Sequence, residues 1–250
     1  MTSQTKQSIV DQCRRLLAAY ESGDIGDTTM PEDTSPNFGA SDQEGRLSYF
    51  TLPMALNYQR NSYTLWESAL KTWNDPETRD VFEVTKAADM PTDELRLRLM
   101  KYKVALQPNK HVATWQRLSQ TFSSEWGSIG GLFTAADNDY LQLKAIIQGT
   151  HKGQFPYLSG PKIFNYWSFI VSTYGGMELK NRQHIGIAPD THITKGSVQL
   201  GVITTAEAAS LSKEEIAERW LHLLGGSGID PIDMHPPLWF WSKNDFQYRP

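Results

Sequence analysis

The sequence predicts an all-α protein, and three observations carry that prediction. From Arg46 onward, apolar residues recur at spacings of three and four over most of the chain, the period of a helix with one buried face. The runs are punctuated by Asn74-Asp75-Pro76, Met90-Pro91-Thr92-Asp93 and Gln107-Pro108-Asn109, which combine helix breakers with capping residues. Strand-type alternation is scarce, and Ser197-Val198-Gln199-Leu200-Gly201-Val202-Ile203 is the one run that invites it. A chain of 250 residues, 39% of them hydrophobic, can bury a sizeable core. The most economical architecture is about ten helices.

In order along the chain, residues 7–20 carry Ile9, Cys13, Leu16, Leu17 and Tyr20 at helical spacing. Residues 21–44 hold seven acidic residues and no Lys or Arg, among Gly, Thr, Ser and Pro. That composition reads as a long, acidic, mobile loop. The division that follows is an N-terminal helix and acidic loop over 1–45 and a helical domain over 46–250. Within the latter, Leu47 to Tyr58 lead into Tyr63-Thr64-Leu65-Trp66, Leu70 and Trp73. Thr78 to Ala88 forms the next helix. Residues 93–106 place Leu95, Leu99, Tyr102 and Leu106 on one face, with Arg96, Arg98, Lys101 and Lys103 elsewhere on the same helix. Val112, Trp115, Leu118 and Phe122 define another, and Asn138 to Gln148 one more. A turn at Tyr157–Lys162 then joins it to a helix over Ile163–Tyr174.

Composition excludes several classes. No apolar run reaches membrane-spanning length, and the polar N-terminus lacks the apolar stretch of a secretory signal. A cytoplasmic or nucleoid-associated monomer is therefore expected. Cys13 is the only cysteine, so an intramolecular disulfide and a four-cysteine zinc or iron–sulfur site are excluded. In its helical pattern it reads as a small core hydrophobe. The six histidines lack metal spacing, and no phosphate loop, dinucleotide fingerprint or serine elbow occurs. No metal or cofactor is expected. Net charge is −4, but outside residues 21–44 basic residues outnumber acidic ones. Charge alone neither supports nor excludes a polyanionic partner.

The candidate chemistry lies between Phe155 and Gly201. Leu158-Ser159-Gly160-Pro161-Lys162 is a turn into a helix, with Pro161 suited to the first helical position and Lys162 in the first turn. Backbone N–H groups at such a terminus favour an anion. A cation there is disfavoured by roughly 0.3–1 kcal/mol, which favours the neutral amine a nucleophile needs. Asp190, in Ala188-Pro189-Asp190-Thr191-His192, suits the N-cap of a later helix. A lysine nucleophile and an aspartate ionic partner fit cleavage of an N-glycosidic bond. By spacing alone, Lys162 reads first as a solvated surface lysine, and Asp190 as an N-cap, a role compatible with a catalytic one.

These two segments resemble the helix-hairpin-helix DNA glycosylase superfamily, in which a hairpin lysine is followed by an aspartate in a V-P-x-D-T-H-V-like stretch. The Lys162 to Asp190 interval, together with Tyr58-Gln59 and Trp66-Glu67, is most similar to the archaeal 8-oxoguanine DNA glycosylase/lyase branch. The usual L-P-G-V-G-x-K hairpin is represented only by Gly160 and Lys162. The resemblance implies a helix-hairpin-helix over about 138–175 and an active site in a cleft between two helical subdomains. It implies a DNA glycosylase with AP lyase activity that excises an oxidised purine, 8-oxoguanine, in base excision repair. Lys162 would attack C1′ of a flipped nucleotide and form a Schiff base, with Asp190 stabilising the cationic sugar and helping to deprotonate the amine. Tyr166 and Trp239 would sandwich the base, with Gln59 and His235 at its edge. Ser159, Gly160, Lys152, His192 and Lys195 would meet the backbone of double-stranded DNA containing a damaged base. Lys180, Arg182 and the basic helix at 96–103 are further backbone candidates.

Two other readings stand beside this one. An N-glycosylase for a free modified nucleoside or nucleotide would use the same lysine and aspartate without a duplex. A non-catalytic DNA-binding module would need neither residue. Met234 to Trp241 is unusually aromatic, which suits either a base pocket or simple core packing.

Overall fold

The computed structural model describes residues 3–39, 41–58 and 60–250. Its regular structure is helical, as expected: among these residues no strand forms, and a lone bridge joins Asp139 and Lys180. The thirteen α-helices among the described residues are α1 (Ser3–Ser22), α2 (Gln43–Leu56), α3 (Ser62–Asn74), α4 (Val84–Asp89), α5 (Thr92–Lys101), α6 (Lys110–Trp126), α7 (Ile129–Ala135), α8 (Tyr140–Ala145), α9 (Pro161–Thr173), α10 (Thr191–Gln199), α11 (Thr205–Ser210), α12 (Lys213–Leu224) and α13 (His235–Lys243). No helix among the described residues is long and apolar enough to cross a membrane. The chain divides into two compact units, one of Met30–Lys180 and one that joins Met1–Thr29 to Asn181–Pro250.

The Met30–Lys180 unit is built around α2, which is buried without interruption from Leu47 to Leu56. A helix apolar on every side must be surrounded, and α3, α6, α7 and α9 all pack on it. Two buried hydroxyls on α2 are satisfied internally: Thr51 Oγ1 donates to the Leu47 carbonyl and accepts from Trp167 Nε1, while Ser48 donates to the Phe82 carbonyl. Tyr49, Phe50, Trp66, Trp73 and Phe82 form one aromatic cluster, with ring centroids 5.1–5.8 Å apart in the contacting pairs. Such tilted and edge-on pairs add to the stabilisation from area burial.

In the other unit α1 packs on α12 and α13, and α10 packs on α13. Cys13 and Leu16 are fully buried, and burial pushes the Cys13 thiol up to about 12. Cys13 is thus the inert core residue its spacing suggested. Gly196 lets α10 approach α13 closely, since a Cβ there would lie 3.0 Å from Leu238 Cδ2. Ser197 Oγ accepts from Trp220 Nε1 at 2.8 Å.

Several expected elements are corrected. The tempting strand over 197–203 is the end of α10 followed by a turn through Gly201, whose φ is +73°. The helix expected over Thr78–Ala88 is a short 3-10 turn (Arg79–Phe82) and then α4, separated by Glu83 in extended backbone. Residues 93–106 do not form one helix. α5 ends at Lys101, Lys103 turns left-handed at φ +62°, and Leu106 is 46% exposed rather than on the apolar face. The helix expected over 138–148 is α8 alone, extended by one π-helical turn (Ile146–Thr150).

Much of the acidic stretch 21–44 is exposed and irregular, Asp24, Asp27 and Asp33 included, but part of it is anchored by buried residues. Ile25, Met30, Pro31 and Glu32 are buried, and Pro31–Asp33 form a 3-10 turn. Phe38 joins the aromatic cluster at 5.5 Å from Tyr49 and 5.3 Å from Trp73. Its last two acids, Asp42 and Glu44, cap helices: Asp42 accepts from Gly45 N at the start of α2, and Glu44 accepts from Ile129 N and Gly130 N at the start of α7. Carboxylates are stabilising at those termini.

Candidate functional site

The turn that delivers Lys162 is built from irregular pieces. After the π-helical turn come a 3-10 turn (Lys152–Gln154) and the segment Phe155–Gly160. Phe155 and Leu158 are fully buried and anchor it. Tyr157 adopts φ +62°, a left-handed conformation uncommon for a bulky residue. Gly160, by contrast, sits at φ −64° and serves as the N-cap of α9, with Pro161 at N1. Gln148 Nε2 donates to the Ser159 carbonyl at 3.1 Å and holds the turn closed. Lys110 lies over the Tyr157 ring at 4.9 Å and over the Tyr58 ring at 5.3 Å.

Lys162 is exposed in the first turn of α9, as its sequence position implied. Tyr166 follows four residues later, on the same helix face. Its hydroxyl donates to Glu32 Oε1 at 3.1 Å, and its ring stacks on Phe169 with centroids 5.8 Å apart. Glu32 Oε1 also accepts from Trp66 Nε1 at 3.1 Å. Glu32 is only 1% exposed. Burial is the main reason its carboxyl is pushed up to about 7, against the smaller lowering effect of these hydrogen bonds. Among the predicted site residues of this unit, Lys152 is also exposed, and Ser159 and Gly160 are half-buried. Gln59 lies outside the described residues.

Asp190 belongs to the other unit and is half-buried. It is the N-cap of α10, its Oδ1 accepting from Ile193 N at 2.9 Å. Buried Pro189 precedes it. The structure brings α10 and the C-terminal aromatic helix together: the His192 and Trp239 rings lie 5.2 Å apart, His192 Nδ1 is 3.1 Å from Ser242 Oγ, and Lys243 Nζ sits 5.1 Å from the Trp239 ring centre. His235 is buried at the start of α13, Trp239 is half-buried, and Lys195 is exposed on α10. The other aromatics of that helix, Phe240 and Trp241, are core.

The expected phosphate-contacting charges divide into engaged and free. The basic face of α5 is neutralised, with Arg96 on Asp93, Arg98 on Asp80 and Glu94, and Lys101 within 2.7 Å of both Asp75 and Glu77. Arg182 is held by Asp230 at 2.7 Å and Asp233 at 2.5 Å, and Lys180 by Asp137 at 2.8 Å. These residues serve their own units first.

Glu32 is the residue that sequence reasoning missed. Its neighbourhood reads as polar loop, and its two partners come from positions far along the chain. The one local signal is the apolar pair Met30-Pro31 inside an otherwise acidic run.

No family model matches the chain, and no curated protein is a significant match to it.

Proposed function

We propose that this protein is a DNA glycosylase with lyase activity, acting on an oxidised purine through an amine nucleophile at Lys162. The observation that carries the reading is the exposed Lys162 in the first turn of α9, at a helix terminus whose N-cap is Gly160. Asp190, capping α10 with one oxygen engaged and the residue half-buried, is the carboxylate assigned to the same reaction. In that reaction the Lys162 amine forms a bond to C1′ while the bond from C1′ to the base breaks. The base leaves with the electron pair and takes up a proton, and the amine gives up one of its own. Opening of the sugar then yields a Schiff base, and loss of a C2′ proton can expel the 3′ phosphate. Tyr166 is the aromatic wall for the flipped base. Exposed Lys103, Lys152 and Lys195 are among the charges left for the DNA backbone.

Borohydride trapping against a panel of duplexes, each with one lesion, tests the reading. An adduct that disappears in Lys162→Gln supports it. No adduct with any lesion, from a folded protein, overturns it.

A second reading draws on the ion pairs. Because the basic residues of α5, with Lys180 and Arg182, are occupied by carboxylates, the electrostatic attraction for a long polyanion is small. That favours an N-glycosylase for a free modified nucleoside. Duplex affinity separates the two, since only a duplex binder weakens steeply with added salt.

A further inference from the structure

Glu32 has no obvious reason to be an acid if its role is to fill space. A buried carboxyl costs free energy unless its partners need it, and an apolar side chain of similar volume would pack as well against the aromatic cluster. What the carboxyl supplies is a single oxygen that accepts two hydrogen bonds, one from Trp66 Nε1 on α3 and one from Tyr166 Oη on α9, each at 3.1 Å. The second oxygen, Oε2, is buried with no partner of its own. Tyr166 is thereby tethered at its hydroxyl by Glu32 and packed along its ring by Phe169. Lys162 stands one helical turn before it. The 3-10 turn Pro31–Asp33 is fixed as well: Asp33 accepts from Met30 N at 2.8 Å, and Tyr174 Oη, at the C-terminal end of α9, donates to Asp33 Oδ1 at 3.2 Å. Two consecutive acids thus grip two tyrosines eight residues apart in number, the spacing of one helix face.

The geometry points to Glu32 as a positioning residue for the reaction: it fixes the Tyr166 ring beside Lys162, so that a base set against that ring presents its sugar to the amine. This inference rests on the proposed glycosylase reading. It gives the acidic segment a task that binding charge would not explain, because Glu32 meets no cation and is sealed from solvent. A reacting group held even about 1 Å out of place can lose about a hundredfold in rate, so losing the tether should be visible in kinetics.

The test measures the single-turnover rate of adduct trapping, on the best lesion duplex, for the wild type, Glu32→Gln, Glu32→Leu, Tyr166→Phe and the Glu32→Leu/Tyr166→Phe double variant, with thermal midpoints alongside. Glutamine keeps an acceptor oxygen, so Glu32→Gln should stay within about twofold of the wild type. Glu32→Leu and Tyr166→Phe should each slow trapping about tenfold or more, and the double variant should be no slower than either, because both remove one contact. Unchanged trapping in Glu32→Leu, or losses that multiply in the double variant, overturns the positioning role while leaving the glycosylase reading intact. Should Glu32→Leu fail to fold, Tyr166→Phe decides: a slowed rate at unchanged thermal midpoint supports the role, and a wild-type rate overturns it. Absence of any adduct from the wild type overturns the glycosylase reading itself, and the positioning role with it.

Discussion

Tyr166 and Glu32, 134 positions apart in the chain, meet in a hydrogen bond from a tyrosine hydroxyl to a carboxyl that solvent does not reach. The contact joins the segment of the sequence that looks least structured to the helix that carries the candidate nucleophile.

The titration of Glu32 has a defined sign. Its folded-state value, about 7, lies above the ordinary 4.5, so between those values the folded protein retains a proton that the unfolded chain releases. The group is harmless below about pH 4.5 and erodes stability as the pH rises toward 7, by about 3 kcal/mol in total. Glu32→Gln should therefore match the wild type in thermal midpoint near pH 4.5 and exceed it near pH 8. A difference that stays flat across that range would show that the carboxyl does not titrate there.

Asp190 carries a structural and a chemical role that two substitutions can separate. Asparagine is as good an N-cap as aspartate, whereas alanine loses about 1 kcal/mol. Asp190→Asn should keep the thermal midpoint and lower the trapping rate by about a hundredfold or more, the scale of a lost acid–base group. Asp190→Ala should lower both. Full activity in Asp190→Asn would reduce the residue to its cap.

Arg182 and Lys195 should behave oppositely. Arg182 is tied to Asp230 and Asp233 at 2.7 and 2.5 Å, so Arg182→Ala should lower stability, by about 2 kcal/mol, without changing the salt dependence of duplex binding. Lys195 is exposed, and Lys195→Ala should reduce the slope of log affinity against log salt by about one while leaving stability alone. Equal salt slopes for the wild type and Lys195→Ala would remove this lysine from the interface.

Gly196 should reject a side chain. Glycine to alanine within a helix normally stabilises by about 0.5–1 kcal/mol, but a Cβ here meets Leu238 Cδ2 at 3.0 Å. Gly196→Val should destabilise by about 1–3 kcal/mol, read from denaturant midpoints. A valine variant as stable as the wild type would show that α10 and α13 have room to spare.

Long helices with an unbroken period were legible in the sequence. In α6 the residues Val112, Trp115, Leu118 and Phe122, which defined the expected helix, are all fully buried, because packing and local period agree there. The cap at Asp190 was legible for the same reason: its hydrogen bond closes within three residues. Boundaries set by backbone conformation were not. Tyr157 and Lys103 both turn left-handed, and neither side chain announces it. Glu32 was hidden because composition describes the company a residue keeps in sequence, while its burial is decided by Trp66 and Tyr166. The grouping of residues 1–29 with 181–250 has no local signature either.

That grouping bears on how the molecule is made. Ile9, Val10, Cys13 and Leu16 of α1 are buried in the finished unit, and the helices that cover them, α12 and α13, are translated after the whole of Met30–Lys180. During synthesis α1 must keep an uncovered greasy stripe until α12 and α13 have emerged, whereas Met30–Lys180 can collapse as soon as its own last helix is available. Ribosome-bound chains halted between these two points would expose that stripe to chaperones, and α1 would be their natural handle.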